Sequence, residues 1–216
     1  MGLLKPQDKS RVAKQLAELK GDVTLVMFTQ STECQFCEMT REMVTEVAEV
    51  SPKLHLEVHD FVADAALAKE YGIEKIPAIV LLGERDQGIR FYGIPAGYEF
   101  ASFIDAILTV GGQTPELPPE ANDLLSRIEK PVDLQVMVTP TCPYCPAAVR
   151  VAHRLALASD QITGAMVEIS EFPQLAIKYG VQGVPMTVIN ETHKLAGAQS
   201  ETNVLEEILK ALESSP

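Results

Sequence analysis

The chain repeats itself. The pairs Cys34-Gln35-Phe36-Cys37 and Cys142-Pro143-Tyr144-Cys145 begin 108 positions apart. The same interval separates Pro77 from Pro185, and Tyr71-Gly72-Ile73 from Tyr179-Gly180-Val181. Val26-Met27-Phe28-Thr29 is echoed by Val136-Met137-Val138-Thr139 at an offset of 110, which places two extra residues in the loop before Cys34. One offset shared by several landmarks is hard to obtain by chance, so the 216 residues are expected to be two copies of one unit. The spacing puts the units at residues 1–112 and 113–216, joined through a Gly- and Pro-rich linker at 111–119.

Within the first copy, Val12, Leu16 and Leu19 mark one face of a helix over 9–19. Residues 23–29 form an apolar run, as in a strand buried on both faces. Cys34 then opens a helix on which Met39, Met43, Val47 and Val50 keep a helical spacing. Leu54, Leu56 and Val58 alternate with His55, Glu57 and His59, the mark of a half-buried strand. A short helix over 64–71 leads through Ile76-Pro77 to strands at 78–82 and 88–93. A helix over 98–110 follows, with Phe100, Phe103, Ile104, Ile107 and Leu108 inward. The second copy reads the same way: helices at 120–129, 147–158, 172–179 and 202–212, and strands at 133–139, 162–169, 185–189 and 194–197. A strand, a crossover helix and a strand imply a parallel pair, and the closing short turn implies an antiparallel hairpin. The expected class is α/β, each unit a mixed four-stranded sheet with helices on both faces.

All four cysteines lie in the two C-x-x-C pairs. A secreted disulfide scaffold scatters its cysteines, whereas such pairs in a cytosolic chain are catalytic or metal-binding. A cysteine at an open helix N-terminus faces free N–H groups that favour the thiolate, and a second cysteine one turn on can close a disulfide with it. The rival readings are one structural zinc held by both pairs and, for the first pair, a structural disulfide. Pro77 and Pro185 each follow a β-branched residue and open an apolar strand, which by itself is an ordinary strand entry. His55 and His59 read as solvent-facing. A net charge of −12 argues against nucleic-acid backbones and anionic membranes as partners. Residues 1–22 lack the apolar core of a signal peptide, and no run is long enough to span a bilayer, so the expected location is the cytoplasm.

A strand, C-x-x-C at a helix start and an apolar-Pro dipeptide entering the third strand resemble the thioredoxin and glutaredoxin unit. Cys142-Pro143-Tyr144-Cys145 is similar to the glutaredoxin motif. The tandem, with one pair per unit, resembles the protein disulfide oxidoreductases of archaea and thermophilic bacteria, as does the stretch from Gly88 to Phe100. It is also similar to the N-terminal domain of the flavoprotein that reduces alkyl hydroperoxide peroxiredoxins, although that domain lacks the first pair. The resemblance implies protein thiol–disulfide exchange. Cys142 and Cys34 are its expected nucleophiles, and Cys145 and Cys37 resolve the mixed disulfides. Ile76-Pro77 and Val184-Pro185 are implied as cis peptides that offer a backbone edge to an extended substrate. The implied partners are protein disulfides or dithiols, a thioredoxin reductase-like flavoprotein and a peroxiredoxin. No bound cofactor or metal is implied, and reducing equivalents would come from NADPH through the flavoprotein. The runner-up is a dedicated electron relay between that reductase and a peroxiredoxin. A zinc-binding interaction protein is the third reading.

The sequence departs from the resemblance in three places. Glu33 and Thr141 stand where thioredoxins have Trp. Phe28 and Val136, six residues before each pair, replace the thioredoxin buried Asp, which leaves the proton acceptor unidentified. The stretch 197–201 matches poorly the glutaredoxin turn that binds glutathione. The two pairs are also expected to differ. The charge of Glu33 opposes a thiolate at Cys34. Thr141 is neutral and placed to cap the helix before Cys142, and Pro143 suits its first turn. Pro146 falls where intrahelical bonding begins and is expected to leave a carbonyl unpaired. Cys142 is therefore the expected stronger nucleophile.

Overall fold

The computed structural model describes residues 2–113 and 116–214. Thr114 and Pro115 of the expected linker, and Met1, Ser215 and Pro216 at the ends of the expected units, lie outside the described residues. The first half runs α1 (Pro6–Leu16), β1 (Val23–Thr29), α2 (Cys37–Ala48), β2 (Leu54–Asp60), α3 (Ala65–Glu70), β3 (Ala78–Leu82), β4 (Asp86–Tyr92) and α4 (Glu99–Val110). The second half runs α5 (Pro119–Leu125), β5 (Val132–Val138), α6 (Cys145–Ala158), β6 (Ile162–Glu168), α7 (Pro173–Lys178), β7 (Met186–Ile189), β8 (His193–Ala196) and α8 (Glu201–Ser214). The expected order of elements holds in both halves, and the strands sit within two residues of their expected bounds. Two helix starts differ by three residues: α1 begins at Pro6 and α2 at Cys37. Pro6 and Pro119 open α1 and α5 at positions where a missing N–H costs nothing. Among the described residues no helix is long and apolar enough to cross a membrane.

The two four-stranded sheets do not stay separate. They join through a parallel β4–β6 pair into one eight-stranded sheet, ordered β2-β1-β3-β4-β6-β5-β7-β8. β1 is antiparallel to β3, β3 to β4, and β4, β6 and β5 are parallel, so β1 and β5 point the same way. Both cysteine pairs follow the C-terminal ends of these strands and lie at one end of the sheet. Four inter-strand spacings put them roughly 19 Å apart across the sheet. One face carries a core that both halves share, from Leu25, Ile79 and Phe91 to Leu134, Val136 and Val149. α1, α2, α4, α6 and α8 all contribute to it. The other face is covered by α3, α7 and their flanking loops over Val26, Phe28, Tyr92 and Met137. At the seam, Phe91 meets Phe103 edge-on at 5.2 Å and His153 at 4.8 Å. Burial holds His153 neutral, its pKa pushed down to about 4, with Nε2 3.3 Å from the Arg90 carbonyl oxygen.

Pairing registers correct the repeat. Val23 pairs with Leu54, and Val132 pairs with Ile162, so the first strands are offset by 109 rather than 110. A shift of one residue moves every side chain to the opposite face of a strand. Phe28 therefore corresponds to Met137, and both belong to the α3/α7 side, whereas Val136 faces the shared core. The loop before Cys34 is one residue longer than its counterpart, not two, and in it Glu33 adopts a left-handed φ of 58°. β2 is a sheet edge, which is why Val58, expected on a half-buried face, is 42% exposed.

Candidate active site

Both C-x-x-C pairs are closed as disulfides, each with a Cα–Cα distance of 5.5 Å. Helices α2 and α6 begin at Cys37 and Cys145, so Cys34 and Cys142 sit in the loops ahead of them rather than opening the helices. This placement still serves a thiolate. The amide of Cys145, the first helical residue, donates to Cys142 Sγ at 3.1 Å. A hydrogen bond to the charged form favours it, so this N–H makes Cys142 a better thiolate. Cys145 is fully buried and Cys142 only 7% exposed. Among the described residues no amide makes a corresponding bond to Cys34, which is half-buried with Glu33 exposed beside it.

Ile76–Pro77 and Val184–Pro185 are both cis, as the resemblance implied. The Val184 carbonyl oxygen lies 3.8 Å from Cys142 Sγ, so this backbone is brought to the second pair although it is distant in sequence.

Three expectations about the helix start are corrected. The residue before α6 is Tyr144, and no side chain caps that helix, so Thr141 is exposed and not its cap. Pro143 precedes the helix. Pro146 takes the first-turn position assigned to Pro143, where a missing N–H takes no intrahelical bond away. Met39 keeps the helical spacing of Met43 and Val47, yet it is 47% exposed while those two are buried. It lines an apolar groove of about 770 Å³, with Leu4, Met43, Ile94, Phe100 and Ile104, between α2 and α4.

Glu99 was not singled out from the sequence. It opens α4, is 1% exposed, and both carboxyl oxygens are buried without a hydrogen-bond partner. Burial pushes its pKa up to about 7, against the opposing charge of Arg150 on α6. The preceding residue, Tyr98, donates its N–H to the Pro140 carbonyl at 3.0 Å, two residues before Cys142. The available signal was helical spacing, since Glu99 lies four and eight residues before Phe103 and Ile107, on the buried face.

The zinc reading needs the cysteines together, and among the described residues no group of three or more His, Cys, Asp or Glu side chains is arranged to hold a metal. His55 is exposed beside Asp22, and His59 pairs with Asp64 at 3.2 Å while its ring lies 5.7 Å from Phe28.

The thioredoxin-domain family profile matches residues 132–210. A protein disulfide oxidoreductase from Aeropyrum pernix superposes with a TM-score of 0.89 at 28% identity, covering 97% of this chain and 94% of that one. The NTD_N/C domain of alkylhydroperoxide reductase AhpF from Enterococcus faecalis gives 0.87 at 28% identity, covering 95% and 99%. The chain is a tandem of two thioredoxin-fold units. Among curated relatives, an alkyl hydroperoxide reductase of Staphylococcus aureus is 27% identical over 185 residues, 85% of this chain and 33% of that protein. A protein of Ferdinandcohnia aciditolerans called an NADH dehydrogenase is 26% identical over 99% of this chain and 38% of its own length. The chain spans about a third of the length of these curated relatives. In this thioredoxin-fold tandem, a loop cysteine bonded by a helix amide, a buried partner cysteine and the backbone before a cis-proline stand together at the second pair.

Proposed function

We propose that the chain is a cytoplasmic protein thiol–disulfide oxidoreductase, with one redox module in residues 1–112 and one in 113–216, and with the second pair doing most of the exchange. The observation that carries this is the setting of Cys142 Sγ, 3.1 Å from the Cys145 amide and 3.8 Å from the Val184 carbonyl. In the reduced protein the Cys142 thiolate attacks one sulfur of a partner disulfide. An S–S bond forms between protein and partner, and the partner's other sulfur leaves as a thiolate and takes a proton. Cys145 then loses its proton and attacks Cys142 Sγ. The mixed disulfide breaks, the partner departs as a dithiol, and Cys142–Cys145 is left oxidised by two electrons. Val184 and Pro185 offer the backbone edge along which the partner's segment pairs, and Ile76 and Pro77 do so for Cys34 and Cys37.

Insulin reduction, followed as the freed chains precipitate, tests the reading. Cys142→Ser should remove most turnover and Cys34→Ser little; full activity in Cys142→Ser would refute the assignment. A dedicated relay, taking electrons from an NADPH-linked flavoprotein and passing them to a peroxiredoxin, is favoured by the similarity to the alkyl hydroperoxide reductases of Staphylococcus aureus and Enterococcus faecalis. Activity with that pair and none with insulin would select the relay.

A further inference from the structure

Segments of both units meet beside the second cysteine pair. Two segments flank the strand that leads to Cys142. The turn after β6 is tied to its end, with the Ile169 N–H donating to the Val138 carbonyl at 3.1 Å. The loop from Gly93 to Tyr98, which belongs to the first unit, is tied two residues further on, with the Tyr98 N–H donating to the Pro140 carbonyl at 3.0 Å. Gly97, at φ +62°, allows that approach: a Cβ there would stand 2.2 Å from the Pro140 oxygen.

Glu171 joins the two segments. Its Oε1 accepts the Ile94 N–H at 2.7 Å, across 77 positions of sequence. Glu168 fixes the turn from beneath, its carboxylate accepting the N–H groups of Ser170 and Glu171, both at 3.0 Å. Gly93 packs directly on the turn, so that a Cβ there would meet the Glu168 Cβ at 2.9 Å.

The repeat supplies an internal control. In the first unit the Phe61 N–H donates to Thr29 in the same way, and Asp60 caps Val62 and Ala63 as Glu168 caps Ser170 and Glu171. The residue in the place of Glu171 is Ala63. The turn therefore needs no acid at this second position for its own sake. The acid occurs where the other unit's loop packs, beside β6 inside the sheet, and is absent beside the edge strand β2.

We propose that Glu171 is a positioning residue for the second pair: through the Ile94 N–H it holds the first unit's 93–98 loop against the Pro140–Cys142 segment, so that exchange at Cys142 depends on an inter-unit contact that Cys34 lacks. This rests on the functional reading above only in assigning exchange to Cys142. The test uses the full chain, fully reduced, with iodoacetamide as probe and both cysteines quantified by peptide mass spectrometry in the same sample. Glu171→Ala should change the Cys142 rate about 2- to 10-fold, the range that losing one hydrogen bond allows, and leave Cys34 unchanged. Glu171→Gln keeps an acceptor oxygen for Ile94 and should restore the Cys142 rate. Gly97→Ala, which displaces the loop at its other end, should reproduce the selective effect and serves as the readout if Glu171→Ala does not fold. An unchanged Cys142 rate, equal changes at both cysteines, or a Glu171→Gln variant as altered as Glu171→Ala would overturn the proposal. Failure of the wild-type protein to reduce insulin would instead count against the functional reading, and the alkylation comparison would still report on Glu171.

Discussion

Cys142 and Cys34 occupy equivalent places, yet their surroundings differ at the level of single atoms. Cys142 Sγ accepts a helix N–H, while Cys34 has Glu33, in a left-handed conformation, beside it. The alkylation midpoint of Cys142 should therefore lie below that of Cys34. A Cys34 midpoint equal to or below it, measured in Cys142→Ser and Cys34→Ser variants, would contradict this. Cys145→Ser should accumulate a stable mixed disulfide with a protein substrate, visible on a non-reducing gel, because the resolving sulfur is gone. Glu99 adds a pH dependence whose sign can be worked out. Its folded pKa, about 7, is raised above the usual 4.5 by burial, so its contribution to stability is intact below about pH 4.5 and is lost as pH rises through about 7. Glu99→Gln should therefore match wild type near pH 4.5 and exceed it at pH 8 by up to roughly 3 kcal/mol in urea unfolding. A constant difference across that range would contradict the assigned burial.

At the scale of elements, the fold depends on close contact between α6 and β6, the strand that receives the other unit. Gly164 sits on β6 where a Cβ would stand 2.5 Å from the Ala152 carbonyl oxygen of α6. Gly164→Ala should cost about 1–3 kcal/mol by overpacking, since helix backbone cannot turn aside as a side chain can. Equilibrium denaturation gives the value, and a neutral result would mean that α6 sits further from the sheet. The element-level reading of the sequence succeeded where periodicity was long and clean, as in β1, and in α4 from Phe103 to Val110. It failed at the starts of α2 and α6. There a C-x-x-C pair resembles a helix opening, but the chain makes a turn first, with the Cys142 N–H donating to the Thr139 carbonyl at 3.2 Å.

For the molecule as a whole, the β4–β6 pair and the shared core make two repeats into one body. Arg85 of the first half pairs with Asp160 of the second, beside the strand seam. Thermal unfolding should accordingly appear as a single transition by both circular dichroism and calorimetry. Two resolved transitions would show that the seam is weaker than its packing implies. The parallel direction of β1 and β5 has a functional consequence, since both disulfides open at the same end of the sheet and can face one partner surface.

The sequence alone determined the repeat, the α/β class, the order of elements, the four cysteines and the two prolines, because each is a local pattern or a fixed spacing. It placed the first strands one residue out of register, since short apolar runs look alike at either offset and only strand pairing distinguishes them. It also left Glu99 and Glu171 unnoticed. An acid near a helix start or in a turn looks ordinary in one dimension. What made these two distinctive was burial against segments far away in the chain, and tertiary packing alone decides that.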